Sequence, residues 1–153
     1  MDRLAEDKRR LQDFKGAEAL CVEALKIRER LFGESSREVA ASRKTLSLIY
    51  GGMDRNDDAE KNYRLAVASL QKLVDSSSGD DASRVRASLI DVLNNGAGLA
   101  LRDSRPKAAR ERAERALALM SASARDSARG AIVMSTVASA CERMGDSKPA
   151  KGF

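Results

Sequence analysis

Histidine is absent from the 153 residues, and so is tryptophan. Without histidine the chain lacks the commonest general base and metal ligand. Neither a Ser-His-Asp nor a Cys-His nucleophile can be assembled from its own side chains. Phosphate-cradling GxxxxGK[ST] and GxGxxG loops are also missing, and the MGDSKPAKG tail has glycine and lysine at the wrong spacing. No enzyme activity, cofactor or metal site is therefore expected. Aromatic residues make up only 3% against 42% apolar residues overall, so a core of alanine and leucine between close-packed helices fits better than one built on large rings. Only two prolines, Pro106 and Pro149, interrupt the chain, and the spans between them read as helix. The two cysteines, Cys21 and Cys141, lie far apart with no CxxC partner. That argues against a disulfide framework and for inert core thiols in a reducing compartment. No apolar run approaches the length of about 18 residues that a membrane span needs. The N-terminal MDRLAEDKRRLQDF has neither the apolar core of a secretory signal nor the acid-poor composition of a transit peptide. The expected location is cytoplasmic, with mitochondrial as the alternative if a presequence was removed.

Charge is plentiful but balanced. The 28 basic and 23 acidic residues interleave to a net +5, a solvated surface with a mild preference for an acidic partner. Asp57–Asp58 and Asp80–Asp81 sit in turns beside helical stretches, where capping accounts for them.

The chain repeats internally. DFKGAEALCVEALKI (13–27), DDAEKNYRLAVASL (57–70) and KAARERAERALAL (107–119) each carry two alanines seven residues apart: Ala17 and Ala24, Ala59 and Ala66, Ala109 and Ala116. Seven residues is about two helical turns, so each pair faces one side and lets a neighbouring helix approach closely. The segments follow one another at 42 and 50 residues, and MGDSKPA places a fourth start at Ala150. A second helical pattern precedes each: 37–53, 84–102 and 127–144. Short turns (DRND, DSRP, GDSK) join the two. Longer turns are expected at FGESS (32–36) and DSSSGDD (75–81), the latter taking up part of the longer spacing. Gly33 is placed to end a helix in the left-handed conformation, Ser36 to start one, and Asp80 or Asp81 to cap the next. Tyr50, Tyr63, Phe14 and Leu73 fall at helical spacing, as core. The unit is thus a helical hairpin that buries its apolar face only by stacking on its neighbours, which predicts a right-handed superhelix with a concave groove lined by the first helices.

QDFKGA, MGDSKPA and the alanine pairs resemble the tetratricopeptide repeat, whose signature is G-x-Y/F-x-x-A with a second alanine seven residues on. ALKIRERLFGESSREVAASRKTLSLIY (24–50) and LNNGAGLAL (93–101) are similar to the longer, 42-residue repeats of kinesin light chains. The turn glycine is replaced by Asp54 and Ser104, and Gly96 and Gly98 stand inside a helix. The resemblance implies an all-α solenoid of about three and a half repeats in one domain, 1–153, with units near 1–33, 36–75, 81–122 and 125–153. The last is incomplete, which reads as a portion of a longer protein.

The resemblance also implies protein or peptide binding in the groove. The asparagine pair of the LNN motif would hold a peptide backbone there, because an amide offers both a donor and an acceptor. The third unit keeps it as Asn94 and Asn95; Lys44 and Thr45, and Ser135 and Thr136, stand at the matching positions of the other units. Helical phase adds Arg102 and Arg143 to the same face, with Arg9 and Arg10 extending it and Glu6, Asp91 and Glu142 tempering it. Lys44, Asn94, Asn95, Arg102 and Arg143 are therefore the expected contacts, for an acidic peptide or protein. Asn94 has a competing reading, a bond within the fold. The basic run from Arg102 to Arg115 reads as a solvated face laced by ion pairs such as Glu111–Arg115. Two other functions compete. One is a structural subunit fixed in a large assembly, which a contiguous apolar outer patch would favour. The other is an RNA-binding helical repeat, disfavoured because the groove positions vary between units and aromatics are few.

Overall fold

The structure, a computed structural model, describes Arg3 and residues 13–145. Arg9, Arg10, Glu6 and the fourth start at Ala150 lie outside the described residues. From Phe14 to Gly145 seven helices follow one another: α1 (Phe14–Phe32), α2 (Arg37–Gly52), α3 (Asn56–Ser76), α4 (Gly79–Arg102), α5 (Pro106–Leu119), α6 (Ala122–Arg125) and α7 (Ala128–Met144). No strand occurs among the described residues. The fold class is all-α, built of helical hairpins, as the alanine pattern implies.

Each helix begins where local chemistry allows it. Asp13 Oδ1 accepts the Gly16 amide at 3.1 Å, Ser36 Oγ accepts Val39 N at 3.3 Å, and Ser127 Oγ accepts Gly130 N at 3.3 Å. Such side chains satisfy amides that have no partner within the helix. Pro106 opens α5, where its missing N–H is no loss.

The short turns share one construction. Asp54 and Ser104 both adopt left-handed backbone, with φ 57° and 54°, and Gly145 does so after α7 with φ 74°. The residue after each of the first two folds back: Arg55 N donates to Tyr50 O at 2.9 Å, and Arg105 N to Ala100 O at 2.8 Å. The repeat's glycine position is therefore left-handed even where glycine is missing. Left-handed backbone costs an L-residue about 1–2 kcal/mol, while glycine carries about 0.5–1 kcal/mol of extra chain entropy. The first term wins, so Ser104→Gly is expected to raise stability by about 0.5–1 kcal/mol in urea denaturation.

The chain divides into two compact units, 1–88 and 89–153, with α4 running through the boundary. In the first unit α2 packs against α1 and α3. Ala17, Cys21, Leu46, Ile49, Tyr50 and Ala59 form its core cluster, with Phe14 and Leu20 against it. Cys21 Sγ donates to Ser42 O at 3.3 Å, so this thiol is a packed core group. Arg55 ties the turn together: it bonds Glu18 on α1 at 2.9 Å, pairs with Asp58 on α3 at 2.7 Å, and lies 4.3 Å from the centre of the Tyr50 ring on α2. Burial and the neighbouring Glu18 carboxylate hold the Tyr50 hydroxyl above its ordinary pKa of 10.0. In the second unit α7 packs against α5 and α6. Ala109, Ala113, Ala116, Val133 and Ala140 are fully buried, and Cys141 nearly so.

Three local expectations need correction. The 75–81 stretch is not a loop: α3 runs on to Ser76 and α4 begins at Gly79, leaving only Ser77 and Ser78 between them. The extra length of this repeat lies in the helices, of 21 and 24 residues. Asp80 and Asp81 sit inside the first turn of α4 rather than at its cap, where their charge favours the positive end of the helix dipole. Gly33 does end α1, but at φ 80° and ψ 162°, an extended mirror-image conformation open essentially to glycine alone, and not the left-handed helical one.

Candidate partner-binding site

Aligning the hairpins on their left-handed turn residues puts α2, α4 and α7 in register, as the first helix of successive hairpins. One stripe then holds Lys44 and Thr45, Asn94 and Asn95, or Ser135 and Thr136. Further along it stand Leu48, Gly98 or Ser139, and then Gly52, Arg102 or Arg143.

The structure gives the expected contacts different jobs. Lys44, in the first unit, is half-buried on α2; its carbonyl accepts from Ser47 Oγ at 2.7 Å, and its side chain bonds to no described residue. Four lie in the second unit. Asn94 Oδ1 accepts from Thr136 Oγ1 at 3.3 Å, a link between α4 and α7. Arg143 Nη1 donates to Leu101 O at 2.6 Å, where a cation meets the carbonyl end of α4. With Arg129–Asp91 at 3.4 Å these links lay α7 alongside α4 in the same direction. Asn94 and Arg143 thus work within the fold. The side chains of Asn95 and Arg102 have no hydrogen bond or ion pair to any described residue, and Arg102 is exposed. Seven residues apart, they stand on one face of α4 about 10 Å from each other.

The basic run beyond Arg102 is engaged within the unit. Arg105 pairs with Asp103 at 2.6 Å, Arg110 with Glu114 at 2.8 Å, and Arg112 donates to Gly96 O at 2.9 Å. These pairs leave little for an anionic backbone to neutralise.

Residues 1–72 match the family model for the tetratricopeptide repeat. This stretch belongs to the tetratricopeptide repeat family. Comparison with curated proteins returned no match. Tetratricopeptide repeats serve in general as protein-interaction scaffolds and not as catalysts. The match ends within α3, yet the second unit repeats the same turn geometry, buried alanine pair and register. No helix among the described residues is long and apolar enough to cross a membrane.

One surface was missed in the sequence. Ile132 and Met134 on α7 are 59% and 43% exposed, beside exposed Ala131 and Ala138. The positions matching Ala131 and Ala138 are Ala40 and Ser47 on α2, both buried. The stretch 130–141 is the most apolar of the chain and by its sequence fits a buried helix; the packing shows that one side is open.

Proposed function

We propose that this protein is an adaptor whose α4 face, through Asn95 and Arg102, takes an extended, carboxylate-bearing segment of a partner protein. The observation that carries this reading is that these two polar side chains share one face and have no described partner in the fold. Asn95 offers a donor and an acceptor to a peptide unit, and Arg102 offers a planar fork to a carboxylate. The test is affinity capture of the full chain at low and moderate salt, beside an Asn95→Ala/Arg102→Ala variant. Selective loss of one partner, by about 100-fold in affinity, is expected of two polar contacts at about 1.5–3 kcal/mol for the charged one and about 1 kcal/mol for the neutral one.

The open apolar face of α7 favours a second reading, a structural subunit held in an assembly by that face. In that case the double variant would recover the same proteins as wild type, and Met134→Glu would lose them.

A further inference from the structure

The two glycines of α4 differ in what requires them. Gly96 is buried, and its carbonyl receives the Arg112 guanidinium at 2.9 Å. Gly98 is exposed, and a Cβ built on it meets no heavy atom within 4 Å. Its φ is not positive either, since the positive-φ glycines are Gly33, Gly79 and Gly145. Neither backbone conformation nor packing therefore requires glycine at 98. An exposed glycine in a helix interior is nonetheless a destabilising choice relative to alanine. Where a sequence breaks a local rule without structural need, the need lies in function.

The position of Gly98 says which function. It follows Asn95 by three residues and precedes Arg102 by four, so all three lie on one face, with the bare turn between the amide and the guanidinium. The matching positions in the other first helices, Leu48 and Ser139, both carry side chains. Resting on the adaptor reading above, we infer that Gly98 is the point where the main chain of the bound segment lies directly against the helix. The notch admits the backbone of an extended strand. Asn95 bonds one of its peptide units. Arg102 takes a carboxylate about three residues farther on, the number of extended residues that spans about 10 Å.

The probe is an immobilised library of dodecapeptides carrying one to four carboxylates, read with wild type, Gly98→Ala, Gly98→Gln and Asn95→Ala/Arg102→Ala. Gly98→Ala is expected to raise Tm by about 3 °C, because an open helix position gains from alanine. The same variant should weaken binding of the selected peptides several-fold, and Gly98→Gln by at least about tenfold, as does the double variant. If Gly98→Gln binds as wild type while the double variant does not, the notch is wrong and the adaptor site stands. If Gly98→Ala lowers Tm, the fold itself needs this glycine and the inference is overturned. If no peptide is selected, or every variant binds alike, the adaptor site and the notch both fall.

Discussion

Gly130→Ala is expected to destabilise the second unit by about 2–3 kcal/mol, the range for forcing extra atoms into a packed site. In an exposed helix the same change would stabilise by about 1 kcal/mol. The sign reverses because Gly130 is buried in the first turn of α7, directly beneath the end of α6. A Cβ there would run into the carbonyl of Arg125 and lie 2.6 Å from its Cα. These are backbone atoms, so no side-chain rotation relieves the overlap. Either α7 shifts or α6 lifts from Leu117, whose carbonyl Arg125 Nε holds at 3.1 Å. For a chain of this size the loss lowers Tm by about 6 °C. Amide exchange should quicken through α6 and α7 first. A Gly130→Ala protein as stable as wild type would mean that the close approach is not maintained in solution.

Ala66→Leu should be as damaging, at about 3 kcal/mol, although leucine is the more hydrophobic residue. Ala66 is fully buried on α3, which packs against α2. Burying a larger side chain is favourable by about 1.5–3 kcal/mol only where there is room for it. Here the missing side chain is what lets the helices approach, and added carbons force off-rotamer side chains or separate the helices. Ala68, two residues on and exposed, is the control. Ala68→Leu should change stability by no more than about 0.5 kcal/mol. Urea denaturation of the two variants side by side measures the difference. Equal effects would show that the alanine pairs are compositional and not a packing device.

The hairpins were legible because their determinants are local and periodic. Alanines seven residues apart must share a face, and Ala17, Ala66, Ala109 and Ala116 prove fully buried. Ser36 announced a helix start, since a hydroxyl before an apolar-periodic run has few better uses. The turn positions were legible through the repeat's glycine, but not that Asp54 and Ser104 keep its left-handed backbone. The 75–81 stretch misled because serine, aspartate and glycine favour turns. In the structure Ser76 turns its hydroxyl back to Lys72 O at 2.9 Å and stays helical. The one-turn helix α6 gave no periodic signal, being only four residues long.

The binding face was legible in part. Helical phase placed Asn95 and Arg102 together, because their relation is local to α4. A bond within the fold was open for Asn94 but not its partner, and the engagement of Arg143 was not seen, because Thr136 and Leu101 lie 42 residues away in sequence. Nor did it separate Gly96 from Gly98, two residues apart and opposite in exposure. That distinction depends on which side of α4 is covered.

The most direct test of the adaptor account is an amide and side-chain NMR map of the full chain titrated with a peptide selected from the carboxylate library. The account predicts that the Asn95 side-chain amide, the Gly98 backbone amide and the Arg102 guanidinium shift together and saturate at one stoichiometric equivalent. Shifts confined to Ile132, Met134 and the open side of α7, with Asn95 and Arg102 unmoved, would contradict it.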